Sequence, residues 1–85
     1  MQQDVTIVNE LGLHARAAAR FVEMANRFRS KIEIVGSHER VDGKSILGIL
    51  TLAAPRGSQL TLVTEGSDEQ QAMDALVELV ADGFG

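Results

Sequence analysis

Residues 4–9, DVTIVN, alternate: Val5 and Ile7 fall on one face at period two, Asp4 and Thr6 on the other. That pattern, rich in β-branched residues, predicts a first strand with one buried face. From Ala15 the period changes. Ala18, Phe21, Val22, Ala25 and Phe28 recur at spacings of three and four, while Arg16, Arg20, Glu23 and Arg27 mostly occupy other faces. This predicts an amphipathic helix of about three to four turns. KIEIVG, residues 31–36, alternates again with Ile32 and Ile34 inward. Residues 39–42 can return beside it through a turn at 36–38, as a hairpin.

SILGILTLAA, which begins at Ser45, is densely apolar and is interrupted by Gly48. Serine is a favoured N-cap, so a short helix over 46–52 is predicted, ended by a loop at Pro55 and Gly57; a buried strand is the competing reading. QLTLVTEG, residues 59–66, predicts a last strand with Leu60 and Leu62 on one face and Thr61 and Val63 on the other. Ser67 or Asp68 then caps a final helix with the stripe Ala72, Leu76, Leu79 and Val80, widened by Met73 and Val77. The order β-α-β-β-α-β-α implies an α+β fold in a single domain over residues 1–85. Its four-stranded, mainly antiparallel sheet carries three helices on one face and leaves the other partly open to water, an open-faced two-layer sandwich.

Composition narrows the class. With 45% hydrophobic and 24% charged residues the 85-residue chain has globular character, and a domain of this size has a net stability of only a few kcal/mol. It has no cysteine and two histidines, so neither disulfides nor a structural zinc site is expected and packing must suffice. A net charge of −4 without tryptophan or tyrosine argues against nucleic-acid binding. The N-terminus MQQDVTIVNE has no basic segment followed by an apolar run, and no stretch approaches a membrane span. A cytoplasmic location is therefore expected.

Few residues offer chemistry. GKS at 43–45 suggests a phosphate loop, but the position that such a loop requires as its first glycine is His38. His14 and His38 match no common metal spacing. His38 lies in the polar turn SHERVDG, where a solvated histidine is the ordinary occupant. His14 differs through its neighbours in GLHARAAARF. If the helix starts at Ala15, the imidazole stands at the N-cap, beside the free backbone N–H groups of Ala15, Arg16 and Ala17. Those groups and the Arg16 guanidinium suit a phosphoryl group. A neutral imidazole is nucleophilic, and an ordinary histidine, with a pKa of about 6.5, is mostly neutral near pH 7. The bland alternative is a histidine tolerated as a cap beside Gly12.

GLHAR and GKSILGIL, with the βαββαβα order, resemble the HPr family, the histidine-containing phosphocarriers of the bacterial phosphoenolpyruvate-dependent phosphotransferase system (PTS). The resemblance spans essentially the whole chain. It implies that His14 accepts a phosphoryl group at Nδ1 from Enzyme I, which takes it from phosphoenolpyruvate, and passes it to an Enzyme IIA component for sugar uptake or regulation. Arg16 is the implied charge partner. The protein is then a monomeric carrier with a transient phosphohistidine rather than a self-contained enzyme, and it holds no cofactor or metal. Ser45 corresponds to the serine that a dedicated kinase, HPr kinase/phosphorylase, modifies in some members. A regulatory binding module switched at Ser45 is the alternative.

Docking in the family uses the helix after the histidine and the short second helix. Ile46, Leu47 and Leu50 would form an apolar patch bordered by Arg16 and Arg20, unless all three are core. Two departures stand out. Ala17 replaces the proline that usually follows the arginine, which restores a backbone donor at some loss of rigidity. Glu23 and Asn26 stand where well-studied members often present lysine, which bears on the branch the carrier serves.

Overall fold

Alternation along the strands sorts one sheet into an apolar and a polar face. The computed structural model describes all of residues 1–85. Its elements are β1 (Gln2–Thr6), α1 (Ala15–Ala25), β2 (Lys31–Val35), β3 (Arg40–Asp42), α2 (Ile46–Thr51), β4 (Gln59–Glu65) and α3 (Glu69–Ala81). The strand order is β1-β4-β2-β3, and every neighbouring pair is antiparallel. β4 is central because its inward side chains Leu60, Leu62 and Thr64 are all buried. Register sets Val5 opposite Leu60, Ile34 opposite Leu62 and Ile32 opposite Thr64.

On the other face Thr61 Oγ1 donates to Asp4 Oδ1 at 2.8 Å, and Glu33 pairs with Arg40 at 3.6 Å and Lys31 at 4.0 Å. Such exposed pairs contribute at most about 1 kcal/mol. The helices cover the apolar face. α1 buries Ala17, Ala18, Phe21, Val22 and Ala25, and α3 buries Ala72, Met73, Leu76 and Val80. Burying one large side chain such as Phe21 is worth about 1.5–3 kcal/mol. α1 packs against both other helices, and α3 lies over β1 and β4. No helix is long and apolar enough to cross a membrane.

Several sequence boundaries are corrected. The first strand runs from Gln2 to Thr6 rather than over residues 4–9, because pairing with β4 sets its extent. Ile7 stays buried and bonds the backbone of Gly57 and Ser58, after which the chain turns. α1 stops at Ala25, so Phe28 lies past the helix, though it still packs on the core. The run after Ser45 is a helix and not a strand; it ends at Thr51, with Leu52 as its C-cap. The hairpin return and the last strand are each one residue shorter than expected. In α3, Leu79 and Val77 are half-buried at the margin of the stripe.

The start of α3 departs more. Asp68 occupies the N-cap position, but its side chain caps nothing there. The carboxylate reaches across the molecule, accepting from Ser30 Oγ, from Arg29 N at 2.9 Å and from Ser30 N at 3.0 Å. The Ser30 hydroxyl first, then the Arg29 N–H, hold its carboxyl below the usual carboxylate range, against the opposing effect of desolvation. Asp68 thereby ties α3 to the α1–β2 connection. Gly66 allows the approach, since a Cβ there would lie 2.7 Å from Ser30 Oγ.

Candidate functional site

The turn before α1 is built around Gly12. Its N–H donates to Asn9 O at 3.1 Å, and Asn9 Nδ2 donates back to Gly12 O at 2.7 Å. Gly12 has φ +67°, and a Cβ would stand 2.5 Å from Ala54 O and 2.9 Å from Pro55 Cα. Only glycine fits both the dihedral and the space. Leu13 follows, buried, with its N–H donating to Ala54 O at 2.9 Å. Turn and anchor together fix where the next residue points.

That residue is His14, half-buried, in extended backbone at the N-cap of α1. Its Nδ1 accepts from Arg16 N at 3.2 Å, and its carbonyl accepts from Ala18 N at 2.9 Å to start the helix ladder. An accepting Nδ1 carries the ring's lone pair, so the neutral imidazole bears its proton on Nε2. The bond is long and exposed, and giving it up costs little. The N–H groups of Ala15 and Ala17 have no acceptor within the protein.

A cleft of about 650 Å³ opens beside the ring. His14 at the N-cap and Arg16, Ala17 and Arg20 of α1 line it, with Glu10 and Leu11 on the turn and Phe84 behind α3. Arg16 and Arg20 are exposed, and neither has a carboxylate within ion-pair distance. A nucleophilic nitrogen, free backbone donors and two unpaired guanidiniums thus share one opening.

GKS has separate duties. Gly43 packs where a Cβ would meet Ile32 Cγ2 at 2.6 Å, Lys44 Nζ donates to Phe28 O at 2.8 Å, and Ser45 Oγ accepts from Gly48 N at 3.0 Å as the cap of α2. The apolar run that follows divides. Ile49 is fully buried, Leu50 is half-buried on the core, and Ile46 and Leu47 are 40% and 78% exposed. His38 is exposed in the β2–β3 turn and lines a different groove, beside Leu52 and Ser58. No group of three or more potential metal-ligating side chains gathers anywhere in the structure.

Sequence reasoning missed the cleft's far wall. Leu11 is 75% exposed beside His14, and Phe84 is buried with φ +67° after the end of α3. The only signal was local: Gly83 followed by an aromatic marks a helix end folded back on its own hydrophobic face. Asn9, three residues before Gly12, was likewise readable as a turn residue.

A model of the family described as "PTS HPr component phosphorylation site" matches residues 1–82. The chain belongs to the HPr family. It is 51% identical over 85 residues to the phosphocarrier protein HPr of Cupriavidus necator, covering 100% of this chain and 96% of the relative. It is 46% identical over 80 residues to the HPr-like protein Crh of Halalkalibacterium halodurans, covering 94% and 95%. Among solved structures, HPr-C-His from Thermoanaerobacter tengcongensis superposes with a TM-score of 0.96 at 41% identity, covering 100% of this chain and 96% of that one. The open-faced antiparallel sheet with three helices is therefore the family's fold. The family is that of the HPr component of the PTS, and the Cupriavidus necator relative is a phosphocarrier.

Proposed function

We propose that the protein is a phosphocarrier that accepts a phosphoryl group from Enzyme I at His14 Nδ1 and delivers it to an Enzyme IIA component. The observation that carries this reading is the 3.2 Å approach of Arg16 N to His14 Nδ1. It sets the lone-pair nitrogen, and hence any group bonded to it, against the N–H groups at the start of α1. In the transfer the Nδ1 pair forms the new N–P bond, and the donor's phosphorus bond breaks with its pair returning to the donor. Nε2 keeps its proton throughout. Arg16 N–H, released from Nδ1, donates to a phosphoryl oxygen together with the free N–H groups of Ala15 and Ala17, and the Arg16 guanidinium adds a full charge.

A carrier must also let go. Donors that bound the phosphohistidine far more tightly than the transition state would slow delivery. The half-buried ring at an open cleft suits that compromise. Ile46 and Leu47, exposed on α2, together with Arg16 and Arg20 of α1 form the docking face in this reading; Leu50, half-buried, packs on the core. The carrier works as a cytoplasmic monomer of one domain and needs no cofactor. Incubation with Enzyme I and phosphoenolpyruvate tests the proposal. Acid-labile, base-stable phosphate is expected, and its absence, or its persistence in His14→Ala, overturns the reading.

A second reading is favoured by the position of Ser45. Its hydroxyl caps α2 directly before Ile46 and Leu47, so a phosphate added there by HPr kinase/phosphorylase would put negative charge at the docking face. In that case the protein also serves as a regulatory module switched at Ser45. Likeness to Crh of Bacillus subtilis, described as a catabolite repression HPr, supports this second reading.

A further inference from the structure

Nothing within the fold uses Arg20. The side chain is exposed, and the ion pairs of the structure, Met1–Glu69, Lys31–Glu33 and Arg40–Glu33, leave it out. Yet it lines the same cleft as His14, Arg16 and Ala17. It follows Arg16 by four residues, so the two sit on one face of α1 about 6 Å apart along the axis. Helical side chains lean toward the N-terminus, which carries the Arg20 guanidinium back toward Arg16 and the histidine.

Charge makes the arrangement informative. The chain has 12 acidic and 8 basic residues, but two of those basic groups stand unpaired at one opening. The only acidic side chain lining this cleft is Glu10. A protein-bound phosphoryl group carries about −1.5 to −2 charges near pH 7, and each cation at the opening, the Nε2-protonated ring and the Arg16 guanidinium included, favours its dianion. We infer that Arg20 is a second cation of the phosphohistidine site, holding the phosphoryl group as its dianion in the free carrier, apart from any part in docking. The inference rests on the reading of His14 as phosphoryl acceptor.

The test is a ³¹P NMR titration of the phosphorylated carrier with no partner present, comparing the unsubstituted protein with Arg20→Gln and Arg20→Lys. A cation some 5–6 Å from the phosphoryl group, in an exposed setting, lowers its second pKa by about half a unit. Arg20→Gln therefore raises that pKa by about half a unit, Arg20→Lys restores most of the shift, and added salt shrinks the difference. Glu10 acts in the opposite sense in all three proteins and cancels in the comparison. If the Gln variant titrates like the parent while its KM with Enzyme I rises, Arg20 only docks and the proposal is wrong. If the unsubstituted protein yields no phosphohistidine, the underlying reading fails first, and this inference with it.

Discussion

Gly12→Ala is the substitution to which the site's geometry is most exposed. At φ +67° an added Cβ would lie 2.5 Å from Ala54 O and 2.9 Å from Pro55 Cα, both backbone atoms that cannot swing aside. The left-handed conformation costs a residue with a Cβ about 1–2 kcal/mol, and forcing an atom into filled space costs about 1–3 kcal/mol more. Reduced freedom of the unfolded chain offsets about 0.4–1 kcal/mol. The net loss is about 1–4.6 kcal/mol. For a domain of this size that lowers Tm by about 4–37 °C, at about 4–8 °C per kcal/mol. Urea denaturation measures the loss directly, with a lower midpoint at an unchanged slope. The relief of the clash must come from parting the 53–55 segment from the turn, which breaks the 2.9 Å bond from Leu13 N to Ala54 O. His14 then loses its fixed approach to α1, so phosphoryl transfer slows even at temperatures where the variant is folded. A loss below about 0.5 kcal/mol, within the range of an ordinary surface change, would refute the claim that this turn aims the histidine.

Ala17→Pro removes one of the free N–H groups at the start of α1 while leaving a residue acceptable in a first helical turn; the phosphohistidine is expected to decay faster at unchanged Tm, and an equal lifetime rules out the donor. Ser45→Asp keeps an acceptable N-cap, so the fold survives while negative charge beside Ile46 and Leu47 raises KM with Enzyme I; unaltered kinetics would show that this face does not dock. The depressed Asp68 carboxyl contributes stability that is fully present above the unfolded carboxylate value of about 3.9 and is lost as pH falls through the lower folded value. Asp68→Asn should accordingly lower Tm at neutral pH and flatten its fall below about pH 4, whereas parallel Tm curves for the two proteins would contradict the assigned hydrogen bonds.

Local periodicity carried most of the fold. Val5 and Ile7, Ile32 and Ile34, Leu60 and Leu62 alternate because each pair faces one core, and the α1 stripe repeats because it packs on the same core. What was not legible depends on partners distant in sequence. The ends of β1 are set by β4, the reach of Asp68 by Ser30, and the cleft wall by Phe84 meeting the 9–11 turn. In α2 the apolar run alone did not separate core from surface; the resemblance singled out Ile46, Leu47 and Leu50, of which Leu50 is half-buried on the core. That difference arises only when a six-residue helix lies with one side on the core. At the site, the His14 and Arg16 arrangement was readable because an N-cap and its first turn are local structure. The second wall was not.

Nδ1 of His14 is the atom proposed to bear the phosphoryl group, since it is the nitrogen that faces the start of α1. ¹⁵N NMR of the imidazole rings after phosphorylation by Enzyme I tests it most directly. A single phosphorylated ring is expected, His14, with phosphorus on Nδ1 and the proton on Nε2. Phosphate on Nε2, or on the exposed ring of His38, would contradict it.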